Sequence, residues 1–109
     1  MSFRRGKVFY SNEYAGIIEE IEEGYAFSYD QAYLNKEDAK AISLTLPLQK
    51  ERYIDRQLFS FFDGLIPEGW LLDLAEKNWK LDRRDRMGLL LSCCKETIGA
   101  VSVQGWNNA

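Results

Sequence analysis

Four glutamates within five positions, Glu19, Glu20, Glu22 and Glu23, form the densest group of carboxylates in the sequence. Paired carboxylates are the machinery of glycoside hydrolysis. Here they flank the turn of an expected hairpin, where charge ordinarily keeps a strand soluble, and that plainer reading is preferred. The second group is Cys93-Cys94. A thiol nucleophile needs an activating base, and none is evident. Adjacent cysteines do not form an ordinary structural bridge with each other, and no CxxC pair is present to hold zinc. They read as buried, reduced thiols. The chain contains no histidine, which removes the commonest general base and the commonest metal ligand together. No GxxxxGK[ST] run and no GxGxxG after a strand is present to cradle a phosphate. Arg83, Arg84 and Arg86 are interleaved with Asp82 and Asp85 and read as the solvated start of a helix. No catalytic residue, cofactor or metal is expected, and the chain does not read as an enzyme.

With 17 acidic and 14 basic residues the net charge is −3, the wrong balance for a protein whose main partner is a nucleic acid. Hydrophobic residues make up 46% of the 109 positions and aromatics 14%, enough for one packed core without a staple. A single domain over residues 1–109 is expected. No apolar run reaches the roughly 18–20 residues of a membrane span, and Met1 to Lys7 lacks the apolar centre of a signal peptide. The expectation is a soluble, cytoplasmic protein.

Between Arg5 and Tyr29, short runs rich in β-branched and aromatic residues are broken by Ser11-Asn12-Glu13 and by Glu22-Glu23-Gly24. This spacing predicts a three-stranded antiparallel meander. Tyr25, Phe27 and Tyr29 alternate with small residues, so one face of the third strand should be aromatic and buried. Asp30 to Leu34 fits a single helical turn. Ala41 to Leu46 alternates again and stops at Pro47, which predicts a strand at a sheet edge. Asp55 is placed to cap a short helix through Phe62, ended by Gly64 in a left-handed turn. Pro67 and Glu68 suit the first turn of a second helix, to about Trp79. Asp82 and Asp85 offer starts for a third, to about Cys94. Lys95 to Ile98 is a turn, and Gly99 to Val103 returns as a strand. The fold class expected is α+β, a small antiparallel twisted sheet or partial barrel with about three helices packed on one side.

Phe61-Phe62-Asp63-Gly64-Leu65-Ile66-Pro67-Glu68-Gly69 closely resembles a motif near the end of the first N-terminal subdomain of the HipA family of Ser/Thr kinase toxins. Ala15-Gly16, Phe27-Ser28-Tyr29 with Tyr33-Leu34, Ile42 to Leu48, Gly88-Leu89-Leu90 and Ile98-Gly99-Ala100-Val101 resemble further elements of the same pattern in the same order. The resemblance spans roughly residues 5 to 104. Ile66 in place of the usual leucine, and Cys93 to Thr97 where many relatives carry a glycine and an aspartate, depart from it. ATP binding and phosphoryl transfer in that family lie beyond this subdomain. The likeness is to the HipS group, small antitoxin subunits of three-part HipBST toxin–antitoxin systems. It implies a HipA-like kinase (HipT) as partner, and a helix-turn-helix HipB-like protein that handles operator DNA in the same complex.

On a helix starting at Pro67, Leu71, Leu72, Ala75 and Trp79 share a stripe that should face the core. Trp70 falls nearly opposite, beside Leu74 and flanked by Asp73 and Lys77. An exposed tryptophan with an apolar neighbour and a charged rim is how binding hot spots are often built. Pro67, Glu68, Gly69, Trp70, Asp73 and Leu74 are therefore the candidate partner-binding residues. The other placement open to Trp70 is under the preceding loop, as ordinary core. Trp106 is expected to anchor the terminus against the sheet. An assembly subunit that completes the kinase without inhibiting it would need the same docking surface. A ligand-binding small barrel is disfavoured, because no set of polar residues converges on a pocket.

Overall fold

The computed structural model describes residues 3–66, 84–93 and 100–106. Strands β1 (Arg5–Tyr10), β2 (Glu13–Ile21) and β3 (Gly24–Tyr29) form the expected meander. Ser11 and Asn12 both take positive φ, 48° and 70°, the tight hairpin turn whose twist matches that of the strands it joins. A bulge interrupts the β1–β2 register between Val8 and Phe9 and leaves Ala15 without a strand partner. The freed Ala15 carbonyl accepts the Asp30 N–H at 2.8 Å. The Asp30 side chain in turn accepts the Tyr33 N–H and caps the one-turn helix α1 (Gln31–Leu34). Beyond it come strand β4 (Tyr53–Asp55), helix α2 (Ser60–Asp63), helix α3 (Arg86–Cys93) and strand β5 (Val101–Gly105). All pairings are antiparallel, and the five strands make one open sheet in the order β4-β3-β2-β1-β5.

Strand pairing puts Val8, Ile18, Phe27 and Val103 on one face, and all four are fully buried there. The helices cover this face. Phe62 of α2 meets Phe27 with ring centroids 5.4 Å apart, and Tyr33 of α1 stacks on Tyr29 at 6.2 Å. Met87, Leu89 and Leu90 of α3 complete the apolar cluster. Gly16 stands on the same face beside Phe27. A β-carbon there would come within 2.2 Å of the Ser28 carbonyl oxygen, so only glycine permits this approach of β2 to β3.

Three expectations are corrected. Ala41 to Leu46 is not a strand: only an isolated Ser43–Leu46 bridge exists, and the segment is a tight turn. Its in-out-in alternation arises because Ile42 and Leu46 both enter the core while Leu44 between them points to solvent. The edge strand is instead β4, where Tyr53 pairs with Phe27, Ile54 with Ala26 and Asp55 with Tyr25. Consequently Asp55 does not cap a helix. Its carboxylate accepts the Gln57 N–H at 3.1 Å in a local turn, and α2 begins only at Ser60, without a side-chain cap. Finally, Gly64 has φ −69° rather than a left-handed conformation, and the turn continues through bonds from Leu65 N–H to Phe62 and from Ile66 N–H to Asp63. The second expected helix, from Pro67 to about Trp79, and the turn from Lys95 to Ile98 lie outside the described residues. The third helix and the last strand form as expected, with β5 displaced two residues toward the C-terminus and paired to β1.

Candidate docking surface

The residues expected to bind a partner, Pro67, Glu68, Gly69, Trp70, Asp73 and Leu74, lie outside the described residues. The two stems that lead to them are described. On the entering side, Phe62 is fully buried and Ile66 nearly so, while Phe61 packs edge-on against Phe62 at 5.3 Å. The aromatic pair of the family-like motif is thus structural. On the returning side, Arg86 donates from Nε to Asp63 Oδ1 at 2.6 Å and ties α3 to α2. An open concavity of about 580 Å³ lies beside this pair, with Tyr25, Arg56, Gln57 and Ser60 on its walls.

The start of α3 is fixed by a three-residue clamp. Asp85 caps the helix by accepting the Gly88 N–H at 3.1 Å. The Arg4 guanidinium grips the same carboxylate through two bonds of 2.8 Å, and grips Glu20 of β2 through two more of 2.9 Å. Forked pairing of this kind fixes direction as well as distance. Hydrogen bonding to Arg4 holds both carboxyls below their ordinary range, and the two carboxylates hold the guanidinium above its own. Glu20 was expected to serve only as a solubilising charge near a turn. Its actual role depends on Asp85, which is far away in the sequence, so no local pattern signals it.

A second fixed feature is the stretch from Asn35 to Arg52, which contains neither helix nor strand. Three tyrosine hydroxyls secure it. Tyr33 accepts the Lys40 N–H at 3.2 Å and donates to the Lys40 carbonyl at 2.6 Å. Tyr29 accepts the Ile42 N–H at 3.0 Å and donates to the Leu46 carbonyl. Tyr53 donates to the Pro47 carbonyl at 2.6 Å. Burial is the main cause that pushes the Tyr29 hydroxyl up to about 12. Within this frame, Leu46 N–H bonds the Ser43 carbonyl at 3.1 Å, and the Ser43 hydroxyl accepts the Thr45 N–H at 3.2 Å. The turn so closed carries Leu44 at its tip, 100% exposed. Leu44 was not singled out from the sequence, although a leucine in a run bounded by Lys40 and Lys50 is visible there.

On the other face of the sheet Trp106 lies against β1, its backbone N–H donating to the Arg5 carbonyl at 2.8 Å and its ring under Arg5 and Lys7 at 4.8 and 5.0 Å. Among the described residues no three His, Cys, Asp or Glu side chains gather as metal ligands, and no helix is long and apolar enough to cross a membrane. Cys94 and the side chain of Cys93 fall outside the described part, as does Arg83.

An open five-stranded antiparallel sheet with helices on one face defines a small α+β domain. Its profile is that of the family described as HipA N-terminal domain, which matches residues 6–104, and the chain belongs to that family. A solved structure described as the N-terminal domain of HipA toxin superposes with a TM-score of 0.70 at 26% identity, covering 97% of this chain and 95% of that one. An uncharacterised protein of Haemophilus influenzae is 33% identical over 101 residues, which are 93% of this chain and 92% of the relative. The matched family is the N-terminal domain, distinct from the kinase domain.

Proposed function

We propose that this protein is a non-catalytic antitoxin subunit that binds a HipA-like Ser/Thr kinase toxin and restrains it by contact. The observation that supports the reading is the match of nearly the whole chain to the HipA N-terminal domain, by family and by structure. In the proposed complex this domain acts through its surface, on a kinase that lacks the equivalent part. The sequence supports the turn Pro67-Glu68-Gly69-Trp70 and the following residues Asp73 and Leu74 as part of that surface. A helix-turn-helix HipB-like protein belongs to the same proposed complex and accounts for operator binding, for which this chain's net charge of −3 is unsuited.

The test is co-purification with a HipA-like kinase lacking its own first subdomain, paired with growth of cells that express both. Binding with rescued growth supports an antitoxin. Binding without rescue makes the protein an assembly subunit, and no binding refutes the reading. Trp70→Ala should weaken the complex by about 2 kcal/mol with the fold unchanged; unchanged affinity of a folded variant refutes that placement.

A further inference from the structure

The three described helices all pack on one face of the sheet. On the opposite face β1 presents Arg5, Lys7 and Phe9, in alternation with Val8 and Tyr10, which turn to the core. Strand register sets Gln104 and Ile17 on either side of Lys7, and Glu19 beside Arg5. The Phe9 ring meets Tyr14 at 5.9 Å, and the Trp106 indole lies beneath both cations. Phe9 and Trp106 are half-buried and Tyr14 is 36% exposed; all three lie outside the core cluster. The indole orients Arg5 and Lys7 without neutralising them. Glu19 is drawn to Arg52 at 3.6 Å, and among the described residues no carboxylate stands within ion-pair distance of Arg5 or Lys7. Three cations against one carboxylate leave this face positive in a chain whose net charge is −3.

A ligand that uses the whole arrangement is anionic at intervals and carries flat rings. Single-stranded nucleic acid has both properties: cations follow its backbone while its bases stack on aromatic side chains. An open antiparallel sheet with aromatic residues on its exposed face is one scaffold that binds it. We infer that the outer face of β1 binds a short single strand, with Arg5 and Lys7 on phosphates and Phe9 with Tyr14 stacking a base. The three β1 positions step about 7 Å apart along the strand. An acidic polypeptide would meet the cations and leave the rings unused, and it could not add as a strand, because β1 is already paired on both sides, to β2 and β5. A duplex keeps its bases out of reach of the rings, and the acidic excess elsewhere in the chain opposes its long contact.

This face lies opposite α2 and α3 and is tested with the chain alone, so the outcome leaves the kinase-binding reading untouched. Fluorescein-labelled oligouridylate and oligodeoxythymidylate of about ten nucleotides are titrated with the protein and followed by fluorescence anisotropy between about 50 and 200 mM salt. Unlabelled single strand, duplex and polyglutamate serve as competitors, and thermal unfolding checks each variant. Two phosphate contacts at about −0.7 each give an expected slope of log affinity against log salt of about −1.4. Lys7→Gln should weaken binding and bring the slope to about −0.7. Gln104→Glu changes an exposed side chain opposite Lys7, keeps the fold, and should weaken binding at least about threefold. Phe9→Val should weaken it at least about fivefold with the slope unchanged. Absence of wild-type binding overturns the inference. So does binding that a folded Phe9→Val variant retains in full, or from which duplex or polyglutamate competes as well as the unlabelled single strand.

Discussion

Replacing Tyr29 by phenylalanine removes one oxygen and leaves the ring in place, so its effect isolates the hydrogen bonds that hold the central loop. The hydroxyl serves the Ile42 N–H and the Leu46 carbonyl, which belong to residues only 5% and 3% exposed. Neither group gains a protein partner when the oxygen is lost. An orphaned buried donor or acceptor costs about 1–3 kcal/mol, so two of them give an expected loss of about 2–6 kcal/mol. That is a large share of the roughly 5–15 kcal/mol that stabilises a domain of this size. Tyr53→Phe is the internal comparison. Its bond to the Pro47 carbonyl lies at the surface, where water replaces the lost donor, and the expected cost is below about 1 kcal/mol. Urea unfolding followed by circular dichroism measures both, with an unchanged slope showing that only stability has moved. A Tyr29→Phe variant within about 0.5 kcal/mol of wild type would refute the claim that this hydroxyl fixes the loop. A second check uses pH. With the folded Tyr29 hydroxyl at about 12 against an ordinary value near 10, the unfolded chain ionises first. Stability should therefore fall as pH rises from about 10 to 12, and the Phe variant should lose that component of the decline.

The Arg4 clamp gives an acid-side prediction. Glu20 and Asp85 are held below their ordinary range in the folded protein, so their contribution is present above the unfolded carboxyl value of about 4 and is lost as pH falls below it. Arg4→Gln should lower stability at pH 7 and flatten the acid limb of a stability–pH curve; an unchanged acid limb would show that the clamp contributes nothing. Gly88→Ala tests the same junction sterically. An alanine ordinarily gains about 1 kcal/mol over glycine inside a helix, but here its β-carbon would stand 2.4 Å from Asp85 Oδ2 and 3.0 Å from the Arg4 guanidinium. A net loss of about 1–2 kcal/mol in chemical unfolding is expected, and the full propensity gain would contradict the packing.

Much of the sheet was legible because its signals are local. Ser11-Asn12 at a hairpin turn, alternation through Tyr25, Phe27 and Tyr29, and an aspartate before each of α1 and α3 act within a few residues of where they stand. The strand expected over Ala41 to Leu46 failed for an equally physical reason. Alternating burial is produced both by a pleated strand and by a turn whose flanking residues enter the core, and only the position of Tyr29 decides between them. Asp55 was likewise ambiguous. A carboxylate there suits a helix cap or a strand end, and pairing of β4 with β3 makes it the latter.

The candidate surface divides along the same line. The sequence by itself determined the family, since the order of its apolar and turn motifs across residues 6–104 survives any uncertainty about contacts. It also determined the absence of histidine and the near balance of charge, on which the expectation of a non-catalytic role without a nucleic acid as main partner rests. Only the tertiary structure decided that Glu20 joins Arg4 and Asp85, and that Leu44 turns to solvent between the buried Ile42 and Leu46. Both are set by groups far apart in the chain, 81 residues from Arg4 to Asp85 and 17 from Tyr29 to Leu46. Contacts of that separation exist only once the sheet and its helices have packed, and periodicity along the chain carries no record of them.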